Sequence, residues 1–205
     1  MGLSVAIGKD ATMPLDIGVL TWIYSVFPAW LEGSMMAVTA LGYYSVVAVA
    51  LAVTAYLFYR AGSKPEALLL PVCALGSMVL ATTIKNLDHR TRPHLFRFGG
   101  YHGPSWYAFP SGHATIAVGF WGVLVLLVAL RLAGWRRWCL VALGVSLVLL
   151  IGFSWLYLGV HDPSDVLGGY LLGTSWAAAV GTLFALRYSM RASDRKPRTP
   201  RGEAR

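Results

Sequence analysis

Five apolar runs, at roughly 34–59, 66–87, 111–131, 138–158 and 164–187, constrain this chain more than any other feature. Each is about as long as the ~20 residues a helix needs to cross a bilayer. A buried helix of a soluble domain can be equally oily. Five such runs within 205 residues, with only 13% of residues charged, leave too little polar sequence to cover a soluble core. The expected fold is an all-α, multi-pass transmembrane helical bundle of five spans. A further apolar stretch, 14–31, is broken by Asp16 and Pro28 and carries Trp22, Tyr24 and Trp30. Aromatic rings of this kind suit the headgroup region, so the stretch reads as an N-terminal interfacial helix, with a sixth span as the alternative.

The net charge of +8 raises the question of nucleic acid. The basic residues sit at the ends of apolar runs instead, which fits membrane topology and no nucleic-acid partner. Arg60 and Lys64 share one loop, Arg131, Arg136 and Arg137 another, and seven more basic residues follow from Arg187 onward. If the five spans alternate, these regions lie on one side, and an excess of Lys and Arg marks that side as cytoplasmic. The protein is expected in the cell (inner) membrane. Residues 1–190 read as one membrane domain, and 191–205 as a disordered basic cytoplasmic tail. Cys73 and Cys139 lack metal-ligand spacing and read as free thiols. No basic leader with a small-residue cleavage site opens the sequence, so no removed signal peptide is expected. Gly169, Gly173, Ala177 and Gly181 form a small-residue stripe suited to close helix packing in lipid.

Polar residues concentrate in three clusters at the other ends of the spans: KNLDHRTRP (85–93), PSGH (110–113) and SWLYLGVHDPSD (154–165). Lys85 and Arg92 lie two helical turns apart and share a face if the helix persists that far, although Pro93 opposes continuation. Both also suit a helix C-terminus at headgroup level, which needs no ligand. Pro110, Ser111 and Gly112 read as a helix start whose N–H groups face an anion. His113 just inside the membrane boundary is costly, which favours a functional role. In the third cluster Pro163 fits the first helical position and Asp162 the N-cap. Asp165 then either completes a capping arrangement or holds one ring nitrogen of His161 protonated, and one geometry can serve both. Helix starts at 110 and 163 would flank a single site for a dianionic tetrahedral group, and no His/Asp cluster with metal-ligand spacing accompanies them.

Taken in order, K-x6-RP, PSGH and S-x6-H-x3-D resemble the three motifs of the type 2 phosphatidic acid phosphatase superfamily, over about 81 residues from Lys85 to Asp165. The resemblance implies an α-helical membrane enzyme that hydrolyses lipid phosphates or pyrophosphates through a phosphohistidine, without metal or other cofactor. It implies His161 as nucleophile, Asp165 as its orienting partner and His113 as general acid. Lys85, Arg92, Ser111 and the Gly112 amide would hold the phosphoryl oxygens. One position departs from the pattern, because Trp155 follows Ser154 where the family usually has arginine. Indole cannot grip phosphate bidentately, so either Arg90, Arg97 or His102 supplies the missing charge or the enzyme is slow or tuned to an unusual headgroup. Undecaprenyl pyrophosphate, phosphatidylglycerophosphate and phosphatidic acid are the expected kinds of substrate. A lipid phosphotransferase and a non-catalytic lipid-phosphate-binding protein are the alternatives, and oligomeric state is not legible.

Overall fold

The structure is a computed structural model that describes residues 13–92 and 107–194. Among the described residues it is helical throughout, with no strand. Its helices are α1 (Met13–Val26), α2 (Glu32–Ala40), α3 (Tyr44–Arg60), α4 (Lys64–Asp88), α5 (Gly112–Ala129), α6 (Trp135–Tyr157) and α7 (Pro163–Asp194). Helices α4, α5, α6 and the part of α7 to Arg187 are long and apolar enough to cross a membrane. Helix α3 is apolar but has only 17 residues. At ~1.5 Å per residue it falls a little short of the ~30 Å hydrocarbon core.

The first expected span, 34–59, is corrected by the structure. It breaks at Leu41–Gly42–Tyr43, so α2 is not the upper part of α3. Helices α1 and α2 instead make a pair bent by 97°. Their contacts place both at one end of the bundle. The Tyr24 hydroxyl donates to the Tyr157 carbonyl, the Tyr157 hydroxyl donates to the Pro28 carbonyl, and Thr39 shares a buried hydrogen bond of 2.6 Å with Ser154. Ile23, Met35, Trp155, Tyr157, Leu158 and Val160 form a core cluster at that end. This is the end that carries the three polar clusters, and the bent pair is together long and apolar enough to count as one broken span or a re-entrant loop.

Tight packing between α5 and α7 comes from the small-residue stripe. A Cβ at Gly169 would lie 2.6 Å from the Ser111 carbonyl oxygen, and one at Gly173 would lie 2.7 Å from that of Thr115. Both distances are below any real contact, so the two helices meet only because these side chains are absent. The consequence is positional. The start of α5, which carries PSGH, is held against the start of α7, which carries HDPSD, and the Ser111 amide donates to the Asp165 carbonyl at 2.9 Å. Along α5 a π-helical stretch, Ala117–Gly122, follows the first turns, an irregularity common near functional sites. Helix α7 continues to Asp194, past the expected boundary at 190. Residues 195–205 of the expected tail lie outside the described residues.

Candidate active site

The four segments that bear the polar clusters converge at one end of the bundle. Helix α4 ends at Asp88, where His89 adopts a left-handed conformation (φ 56°) as its C-cap. The helix therefore does not persist to Arg92, and the shared helical face expected for Lys85 and Arg92 does not form. The chain turns instead, and the two cations reach the site from different backbone segments. Lys85 is buried, its Nζ donating to the carbonyls of Tyr107 (2.8 Å) and Ala108 (2.9 Å). Arg92 donates from Nη1 to the Val160 carbonyl at 2.9 Å and approaches His161 Nε2 at 3.2 Å.

His161 sits in the short connection between α6 and α7 and is 1% exposed. Its Nδ1 lies 3.1 Å from Asp165 Oδ2, which also accepts the Asp162 amide at 3.0 Å. Asp165 thus caps its own helix and orients the histidine at once. A carboxylate at Nδ1 accepts a proton and a guanidinium at Nε2 donates one, so the ring is the Nδ1–H tautomer. Burial first, then the charges of Arg92, Lys85 and Arg90, hold its pKa well below the usual imidazole range. The ring is therefore neutral at physiological pH, with its Nε2 lone pair directed toward the Arg92 guanidinium.

His113 lies one residue inside α5, its ring 4.2 Å (centroid to centroid) from Trp155, edge-on to Tyr43 and stacked on Tyr44. The missing side chain of Gly42 makes room for it, because a Cβ there would lie 2.5 Å from the His113 ring. His113 Nε2 is buried with no hydrogen-bond partner among the described residues. Ser111 is buried and its Oγ accepts the Ala114 amide at 3.4 Å, so it serves as N-cap of α5. Gly112 packs beside the Tyr44 hydroxyl and the Lys85 side chain. Ser154, the first residue of the third motif, holds Thr39 and donates to the Ile151 carbonyl, a packing role.

Trp155 does not face lipid. Its indole is 1% exposed, lies 5.3 Å from the His161 ring as well as against His113, and has the Arg92 guanidinium 5.9 Å from its centroid. The residue replacing the expected arginine thus fills the middle of the site. Arg90, expected as a substitute cation, is directed elsewhere. Its guanidinium pairs with Asp16 (3.0 Å), Asp162 (3.1 Å) and Asp165 (3.1 Å) and donates to the Ser164 hydroxyl (2.8 Å). Arg97 and His102 lie outside the described residues.

Sequence reasoning missed Asp16. Its Oδ1 accepts the Ser164 amide at 3.0 Å and its Oδ2 the Ser164 hydroxyl at 2.7 Å. The start of α7 is therefore closed by a carboxylate from α1. Of the two helix starts expected to flank the site, that of α7 thus has its Ser164 donors already engaged. The available signal was a single acidic residue in an otherwise apolar stretch, since a charge there is costly unless it has a partner. The carboxylates of Asp16, Asp162 and Asp165 surround a guanidinium, and no group of three or more His, Cys, Asp or Glu among the described residues is arranged to hold a metal ion.

Fold and site together define the class: a multi-pass, all-helical membrane protein whose histidine–aspartate pair is set among cations at one end of its bundle. The profile of the PAP2 superfamily matches residues 66–189, and the chain belongs to that superfamily of phosphatases. It is 28% identical over 176 residues to phosphatidylglycerophosphatase B of Bacillus subtilis, covering 83% of this chain and 84% of the relative. To an undecaprenyl-diphosphatase of Sulfolobus acidocaldarius it is 33% identical over 127 residues, covering 60% of this chain and 57% of that one. Among solved structures, the transmembrane PAP2-type phosphatidylglycerolphosphate phosphatase of Bacillus subtilis superposes with a TM-score of 0.78 at 25% identity, over 88% of this chain and 90% of that one. Aquifex aeolicus LpxE shares the fold, with a TM-score of 0.63 at 20% identity, over 82% of this chain and 95% of that one.

Proposed function

We propose that this phosphatase hydrolyses a lipid-linked phosphate or pyrophosphate at the extracytoplasmic membrane face, through a phosphohistidine and without a metal ion. Residues 1–190 act as one membrane domain. The observation that carries this reading is the His161–Asp165 pair, with Nδ1 held at 3.1 Å and Nε2 turned toward Arg92. The phosphoryl group takes the Arg92 guanidinium from Nε2 and frees the lone pair. Nε2 then attacks phosphorus, the bond to the leaving oxygen breaks, and His113 gives that oxygen a proton. The negative charge of the arriving phosphate favours the protonated His113 imidazole that this step needs. In the second half, water attacks phosphorus, the N–P bond breaks, and His113 takes the water proton. Lys85, Arg92, Ser111 and the Gly112 amide stabilise the phosphoryl oxygens throughout.

A lipid substrate is supported by an apolar groove of about 410 Å³ between α3 and α4, lined by Tyr44, Leu51, Pro71, Leu75, Met78 and Ile116. Tyr44 at its end stacks on His113, so a chain lying in the groove leads its headgroup to the site. Phosphatidylglycerophosphate and undecaprenyl pyrophosphate, for which relatives are named, are the substrates to compare, with phosphatidic acid as the simplest lipid phosphate monoester beside them. Metal independence is supported by the carboxylates being paired with Arg90. The test is phosphate release by purified protein from these lipids in EDTA, with His161→Ala as control. Release that needs added magnesium, or that persists in His161→Ala, would sink the mechanism.

A further inference from the structure

Asp16 lies outside the segment matched by the superfamily and beyond contact with any reacting atom, yet it is 4% exposed and fully engaged. A buried carboxylate is costly unless paired and hydrogen-bonded, and Asp16 meets that cost with three donors. The Ser164 amide, the Ser164 hydroxyl and Arg90 Nη2 all converge on it. From Arg90 the contact continues to the two carboxylates beside the nucleophile. Nη2 donates to Asp162 Oδ2 at 3.1 Å, and Nη1 lies 3.1 Å from Asp165 Oδ1. Asp165 Oδ2, the other oxygen of that carboxylate, holds His161 Nδ1.

We propose that Asp16 is a positioning residue for the nucleophile: it fixes the Arg90 guanidinium, which fixes Asp165, which sets the orientation and basicity of His161. The inference rests on the histidine mechanism proposed above. Asp165 has two oxygens: Oδ2 binds the imidazole, while Oδ1 has no hydrogen-bond partner among the described residues and faces Arg90 Nη1 as an ion pair at 3.1 Å, so rotation about the side chain disturbs both contacts together. Asp16 and Asp162 anchor the guanidinium from the far side and divide its charge, so Asp165 does not face an undivided cation. Helix α1 thereby becomes part of the catalytic apparatus, acting through two intermediates.

The charge effect has a definite sign. The groups facing His161 are Asp165 and Asp162 from the α7 start, Arg90 and Arg92 from the segment after α4, Lys85 from α4, and His113 from α5. Asp16 acts on this set only through Arg90: Asp16→Asn removes one of the carboxylates that pair with the guanidinium and leaves Arg90 less neutralised. The positive potential at His161 rises, its conjugate acid weakens, and the acid limb of the kcat profile moves to lower pH.

The experiment compares wild type, Asp16→Asn and Asp16→Glu, using phosphate release from phosphatidic acid in mixed micelles and vanadate titration to count intact sites. Asp16→Asn keeps the volume and an acceptor for the Ser164 amide while removing the charge. Expected are a kcat per intact site reduced about tenfold to a hundredfold, KM nearly unchanged, an acid limb at lower pH, and partial recovery in Asp16→Glu. A purely structural role changes the number of intact sites and leaves kcat per site and the pH profile alone. That result, or Asp16→Asn indistinguishable from wild type, overturns the proposal. If the wild type itself releases no phosphate from phosphatidic acid or the other two lipids, the functional reading falls and takes this inference with it.

Discussion

The Trp155 indole and the His113 imidazole lie 4.2 Å apart, centroid to centroid, with the His161 ring 5.3 Å from the same indole on its way to Asp165. The same apolar plate therefore touches both histidines that the proposed reaction has to coordinate. It also offers its π-face to Arg92.

Replacing that plate with a second guanidinium gives the first prediction. Trp155→Arg should tighten vanadate inhibition, because a charge-assisted hydrogen bond contributes roughly 1.5–3 kcal/mol, or about one to two decades in affinity. Arg92 loses its aromatic contact and gains a like-charged neighbour, so thermal stability should fall in the same variant. Unchanged inhibition constants in folded Trp155→Arg would show that the position does not reach the phosphoryl group.

His113 gives a prediction that depends on the leaving group. His113→Ala should slow release from phosphatidic acid, whose departing alkoxide needs a proton, more than release from undecaprenyl pyrophosphate, whose leaving group is already a stable anion. General acid help of this kind contributes about two to four decades. His161→Ala should abolish both. Equal losses on the two substrates would remove His113 from the acid role.

The Asp162 carboxyl is pushed up to about 6 by burial, then by the charge of Asp165, with Arg90 pulling the other way. A carboxyl bound more tightly to its proton in the folded state contributes stability below about 3.8, and that contribution is lost as pH rises through about 6. Asp162→Asn does not titrate. Its Tm relative to wild type should therefore rise between pH 5 and pH 8, by about 2–4 °C per kcal/mol at this chain length. A difference that is flat with pH would mean that Asp162 keeps an ordinary carboxylate.

Sidedness can be read directly. A cysteine at Gly100 should react with an impermeant thiol reagent from outside, and a reporter fused after Arg205 should read cytoplasmic. Labelling in the reverse sense would overturn the assignment from loop charge.

Much of the architecture was legible in residue order because lipid imposes it. A span must satisfy its own backbone, so α4 to α7 announce themselves as apolar runs of helical length. Lys85, His113, His161 and Asp165 were legible for a related reason, since ionisable residues at such boundaries are costly and here stand at motif spacing. Pro163 and Asp165 even carried their capping geometry locally, and the Asp162 amide does bind Asp165. Where local pattern was equivocal it misled. The run 34–59 is continuous in hydropathy, yet it breaks at Leu41–Gly42–Tyr43, where the His113 ring occupies the space a side chain on Gly42 would need.

Residue order alone determined the apolar spans and the spacing of the histidine–aspartate pair, because burial in lipid and helix capping are local demands, while the phosphatase reading came from the order of the three motifs. Tertiary structure decided what meets across long separations. It put the carboxylate of Asp16 against Ser164, 148 residues away, and so engaged one of the two helix starts expected to flank a single anion site. It also turned Arg90 toward three carboxylates and Trp155 inward against both histidines. A buried charge takes whatever partner the packing of distant helices brings within about 3 Å, and no spacing along the chain records that choice.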